Sequence, residues 1–156
     1  MPRMLPGTRY SLRIGDGEPP QAELLRDGAG TGLRLDGALL EAQFERADGS
    51  ALLLLTEDSP YDELLHVYLL DREGVLVDAL EAGSRDGLSG AGILQLGRHG
   101  DGWLELEFLK GDPACRIQLL PQPQIQLLAP PGWRYKKRLS KHRLRVTKLE
   151  IDQGAA

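Results

Sequence analysis

The chain has 156 residues, 41% of them hydrophobic, with one cysteine and a formal net charge of −4. That length supports one buried core without metal or disulfide staples, so a single β-domain over 1–156 is expected, with no cofactor and no resident metal. The lone Cys115 excludes an intramolecular disulfide, no aliphatic run is long enough to cross a bilayer, and the opening Met-Pro-Arg-Met-Leu-Pro-Gly lacks an apolar leader, which together point to a cytoplasmic, non-membrane protein.

In chain order, two short strands come first, Tyr10 to Ile14 and Glu23 to Arg26, parted by a Gly15 to Pro20 loop. Asp36-Gly37 then separates Leu33-Arg34-Leu35 from Leu39 to Glu45, and Asp48-Gly49 separates that run from Ala51 to Thr56. Asp-Gly supplies the positive φ angles of tight hairpin turns, so a three-stranded meander is expected here. Leu40, Ala42 and Phe44 alternate with Glu41, Gln43 and Glu45, the period of a half-buried strand.

Leu52 to Leu55 and Leu64 to Leu70 are apolar at both parities, as in strands covered on both faces. Before the second of these, Ser59-Pro60-Tyr61-Asp62 has the pattern of a helix start. Val67 and Tyr68 favour a strand, and Arg72-Glu73-Gly74 reads as the turn to another strand, Val75 to Ala82. A strand from about Leu64 is therefore expected, with at most one or two short helices in the whole chain.

The glycine-rich stretch Gly83 to Gly92 lacks the Gly-Lys-Ser/Thr ending of a phosphate loop and reads as a connection between sheets. His99 to Gly102 divides Ile93 to Gly97 from Trp103 to Leu109, and Cys115 to Leu120 follows with Cys115, Ile117 and Leu119 on one face. Pro121, Pro123, Pro130 and Pro131 break the pattern, leaving Ile125 to Leu128 as an edge strand. Arg143 to Ile151 is the last strand, with a parity slip between Val146 and Leu149 that a bulge would repair. About ten short strands give an all-β fold, an antiparallel β-sandwich or flattened β-barrel. Edge strands left open by such a sandwich favour a homodimer.

Charge is laid out unevenly. Residues 1–112 carry a balance of −11, whereas residues 113–149 carry nine Lys and Arg and no acid. Within the basic segment 130–149, Trp133, Arg134, Tyr135, Lys136, Lys137 and Arg138 interleave aromatics with cations, the composition of a candidate binding surface. Packing of this segment on the acidic body is the favoured reading, which makes nucleic acid the less favoured partner.

Catalytic residues are not identified. His66 lies in an apolar strand, His99 in a turn and His142 in the basic segment, and none belongs to a nucleophile motif. Glu105 and Glu107 share one strand face, as paired carboxylates of a glycosidase would, but alternating Glu is ordinary on a wet face. The acidic cluster Glu57, Asp58, Asp62 and Glu63 lacks calcium-loop spacing and reads as solvated carboxylates, while Cys115 reads as a small buried hydrophobe. The expected function is a non-catalytic binding or interaction module for a small ligand or partner chain. A hydrolase built from scattered carboxylates and nucleic-acid binding through the basic segment are the alternatives.

Overall fold

The computed structural model describes residues 4–17, 19–58, 64–83, 91–109, 113–125, 128–137 and 140–149. Within them lie thirteen strands and no helix: β1 Leu5–Pro6, β2 Tyr10–Ile14, β3 Gln21–Arg26, β4 Ala29–Asp36, β5 Leu39–Glu45, β6 Ala51–Thr56, β7 Leu65–Leu70, β8 Leu76–Ala82, β9 Ala91–Gly100, β10 Trp103–Leu109, β11 Cys115–Ile125, β12 Trp133–Tyr135 and β13 Lys141–Lys148. The helix-like start at Ser59 to Asp62 lies outside the described residues, and Leu65–Leu70 is strand. No helix there is long and apolar enough to cross a membrane.

The strands form three antiparallel sheets, none closed into a barrel. A six-stranded sheet, β1-β5-β6-β7-β8-β12, is the middle layer. The four-stranded sheet β13-β11-β10-β9 covers one face, burying Leu52, Leu54, Leu65, Val67 and Leu80 against Leu104, Leu106, Ile117, Leu144 and Val146. The three-stranded sheet β2-β3-β4 covers the other, burying Leu53, Leu55, Tyr68 and Leu70 against Tyr10, Leu24 and Leu35. Every residue of β6 and β7 is buried because these two strands lie under both covers. At about 1.5–3 kcal/mol per buried leucine side chain, this pair is the main hydrophobic anchor of the fold.

Local signals were realised unequally. Asp48-Gly49 joins the paired strands β5 and β6, as its turn chemistry requires. Asp36-Gly37 does not make a hairpin, since β4 pairs with β3 in the small sheet while β5 pairs with β6 in the central one. Gly37, at φ 133°, instead lets the chain cross between layers, and a Cβ there would lie 2.9 Å from the Leu55 Cβ. The small sheet takes its hairpin turn from Asp27-Gly28, where both residues have positive φ.

Bulges and prolines account for other departures. A register shift between Leu40 and Ala42 turns Leu40 into the core beneath the three-stranded sheet, while Ala42 and Phe44 face the four-stranded one. β11 runs through Pro121 and Pro123 rather than ending at Leu120. Because proline has no N–H to donate, the ladder to β13 breaks between Leu119 and Gln124, and β11 is exposed from Pro121 to Ile125. β13 itself stays in register from Lys148 to Leu144 and ends before Leu149, so the expected bulge there is unnecessary.

Candidate functional site

Strand parity places a line of polar groups on the central-sheet face that looks toward the three-stranded sheet. β7 supplies His66 and Tyr68, β8 supplies Glu81, the end of β6 leads to Glu57, and β12 with its next residue supplies Arg134 and Lys136. β12 pairs with β8 at the edge, which brings Arg134 opposite Glu81. Asp36, at the end of β4, reaches in from the covering sheet.

Lys136 is the hub. Its ammonium donates to Asp36 Oδ2 at 2.7 Å, to His66 Nδ1 at 2.7 Å and to the Tyr68 hydroxyl at 3.0 Å, so its three protons meet three acceptors. With Nδ1 accepting, the imidazole proton belongs on Nε2, which faces Glu57 Oε2 at 2.7 Å. The Tyr68 hydroxyl donates to the Asp36 carbonyl and accepts from the Asp36 amide, both at 3.0 Å. Arg134 Nε pairs with Glu81 Oε2 at 2.5 Å, and another of its N–H groups donates to the Gly83 carbonyl at 2.8 Å.

Burial holds His66 below its ordinary value, and the Lys136 ammonium acts in the same direction, against the pull of Glu57 and Glu81. The imidazole is therefore neutral. Burial pushes Asp36 up, but hydrogen bonds from Lys136 and Gln21, together with the lysine's charge, outweigh it and keep the carboxyl below its usual range. Burial raises the Tyr68 hydroxyl.

Glu57, His66 and Glu81 offer ligand atoms within 4.8 Å of one another, the spacing of a metal centre. The ring argues against one ion binding all three. Glu57 lies at Nε2, whereas Glu81 lies 3.5 Å from Nδ1 on the other side, where the Lys136 ammonium already supplies the positive charge. Catalysis is equally disfavoured, because the His66 and Glu57 side chains are 0% and 2% exposed and each of these groups already has an internal partner. Glu57 thus departs from the expected solvated carboxylate. Asp62 and Glu63 of that cluster lie outside the described residues.

The basic segment is drawn inward along most of its described length. Trp133 is buried in the core facing the four-stranded sheet, and Tyr135 stacks on His142 at 3.7 Å between ring centroids while donating to the Leu144 carbonyl at 2.6 Å. Burial is the main cause that pushes Tyr135 up to about 12. Lys137 reaches the Leu76 carbonyl at 3.3 Å, and Arg138 lies outside the described residues. On the same side Asp78, fully buried, accepts from the amides of Arg143 and Leu144 at 2.9 and 3.0 Å and faces His142 Nδ1 at 3.1 Å, tying β13 to the central sheet.

Glu105 is also engaged. Arg116 hydrogen-bonds it at 2.6 Å and, with Arg98, holds the carboxyl below its ordinary value, which unsuits it as a general acid. Cys115 is 4% exposed, as a small core hydrophobe would be. His99 packs its ring 5.1 Å from that of Phe44.

A different kind of place lies at the end of the layers where the β5–β6 and β7–β8 turns meet. A cleft of about 770 Å³ is walled there by residues of all three sheets: Arg9 and Arg26 at the three-stranded one, the 46–50 and 69–73 turns of the central one, and Leu119 and Arg143 of the four-stranded one. Its arginines are scattered from position 9 to 143, so periodicity within any one strand gives no sign of them. The buried network was partly legible, since a histidine in an otherwise apolar strand needs polar partners. Compared with protein-family models, with curated proteins and with solved structures, the chain gives no match.

Proposed function

We propose that this protein is a non-catalytic binding module whose ligand seat is the cleft at the meeting of the three sheets. The observation that carries this reading is the division of labour among polar groups. Glu57, His66 and Asp78 are engaged inside the fold and Glu105 is held by Arg98 and Arg116, whereas the cleft is open, about 770 Å³, and walled by strands and tight turns. Small-molecule sites commonly occupy about 300–1,000 Å³ and combine apolar walls with a few polar groups. Leu69, Leu70, Val77 and Leu119 supply the apolar part here.

The two alternative readings draw less support. A hydrolase would need an accessible acid–base pair, whereas Glu105 is held as an anion by two arginines and the cleft carboxylates Asp48 and Asp71 accept from the amides of their own turns. A nucleic-acid surface would need Trp133 and Lys136 free to meet bases and phosphates, yet both are turned inward.

Amide chemical-shift mapping with a small-molecule mixture of neutral, cationic and anionic compounds tests the proposal. Shifts clustering at the cleft walls, residues 9, 26, 46–50, 69–73, 77, 119 and 143, are expected. Perturbations clustering elsewhere, or hydrolytic turnover abolished by Glu105→Gln, would refute it.

A further inference from the structure

Resting on that reading of the cleft, we infer that its ligand is a small organic anion carrying at least two oxyanion groups, phosphoryl or carboxylate, on a partly apolar body. Five arginines line the cleft, at positions 9, 26, 46, 72 and 143, in a chain whose first 112 residues carry a balance of −11. Concentrating guanidinium groups from three separate sheets at one opening runs against the general charge of the molecule.

The carboxylates nearby cancel only some of these cations, Arg9 lying 3.4 Å from Asp27 and Arg46 lying 3.9 Å from Asp48. Asp48 accepts from the Ser50 amide and hydroxyl at 2.9 and 2.6 Å, and Asp71 accepts from the amides of Glu73 and Val75, both at 2.9 Å, so both serve as caps of their own turns. Glu73 lies 3.8 Å from Arg72 with both side chains exposed, a weakly attractive pair. Arg46 pairs with Asp101 at 3.3 Å. Arg26 and Arg143 have no carboxylate within 4.0 Å among the described residues. They lean on backbone instead, donating to the Arg72 and Leu120 carbonyls at 2.7 and 3.0 Å. The Nε groups of Arg26 and Arg46 are buried and have no hydrogen-bond partner among the described residues. Buried donors of that kind are rare in folded proteins.

Chemistry and size narrow the ligand. A guanidinium presents a planar fork of donors that matches the oxygens of carboxylate and phosphate, so arginine is favoured where such groups are recognised. A lone inorganic phosphate would leave most of the 770 Å³ empty. Arginines contributed by opposite layers suit charges at two ends of a molecule, and Leu70, Val77 and Leu119 suit an apolar stretch between them.

Isothermal titration at low ionic strength decides the matter, with inorganic triphosphate as the phosphoryl probe, citrate as the carboxylate probe and spermine as the cationic control. At least one anion is expected to bind and spermine is not. Affinity should fall at least tenfold on raising salt, and at least tenfold in the Arg26→Gln/Arg143→Gln double variant, while Lys137→Gln leaves it unchanged. Preference for triphosphate or citrate identifies the source of the oxyanions. The exposed Arg72→Gln, with an expected loss of twofold or more, serves if the double variant does not fold as judged by circular dichroism. If neutral or cationic compounds shift the cleft amides and neither anion binds, the inference falls and the binding reading stands. If no compound of any charge reaches the cleft, both fall.

Discussion

Replacing Lys136 with Met keeps the apolar stem and deletes the ammonium that joins β12, β7 and the end of β4. Three charge-assisted hydrogen bonds disappear, to Asp36, His66 and Tyr68. Asp36, 32% exposed, retains its bond from Gln21 and is open to hydration, and the Tyr68 hydroxyl keeps both bonds to the Asp36 backbone. The cost therefore concentrates on His66 Nδ1, left without its donor in a side chain of 0% exposure. An orphaned buried acceptor costs about 1–3 kcal/mol, and a lost hydrogen bond to a charged group about 1.5–3 kcal/mol. With Asp36 partly relieved by water, a total loss of about 2–4 kcal/mol is expected. In a domain of this length that lowers Tm by about 5–15 °C. Urea denaturation followed by tryptophan fluorescence, with calorimetry, measures both. Lys137→Met, which removes one 3.3 Å bond to the Leu76 carbonyl, should cost under about 1 kcal/mol. Asp36→Asn combined with Lys136→Met should show a coupling of about 1 kcal/mol or more. A Lys136→Met protein within about 0.5 kcal/mol of the parent, or strict additivity with Asp36→Asn, would refute the account of Lys136 as the hub.

His66 is held below 6.5 in the folded state, so on acidification the unfolded chain takes up that proton first. Its contribution is complete above about pH 6.5 and is lost as pH falls through the folded value, with a slope of at most about 1.4 kcal/mol per pH unit. His66→Gln should flatten that part of the stability curve, and identical pH profiles for parent and variant would contradict the neutral assignment. Asp36, held below 3.8, adds a second loss at more acid pH, which Asp36→Asn should remove from the same denaturation series. Asp78→Ala strands the Arg143 and Leu144 amides and should cost about 3 kcal/mol or more, with faster hydrogen exchange along β13 than elsewhere, whereas Asp78→Asn should cost less. Gly37→Ala combines a strained φ with a clash against the fully buried Leu55 and should destabilise by about 2–3 kcal/mol, measured by the same denaturation assay.

The residues by themselves determined where most of the strands form and which are most buried. Alternation in Trp103 to Leu109, the two-sided apolar runs at 52–55 and 64–70, and the Asp48-Gly49 turn depend on sterics and solvation within a few residues, and each was realised locally. What neighbouring residues do not specify is the sheet a strand joins. Asp36-Gly37 and Asp48-Gly49 carry the same turn chemistry, yet one crosses between layers and the other closes a hairpin, because pairing partners are chosen by burial summed over the whole molecule. One extra residue near Glu41 reversed the face of Leu40 for the same reason, since the core on each side of the sheet must be filled. Lys136 and His66 stand 70 positions apart, and the cleft arginines span 9 to 143. Such groups become neighbours only when three sheets stack, and the choice between a solvated cation and a buried hub is made by that stacking.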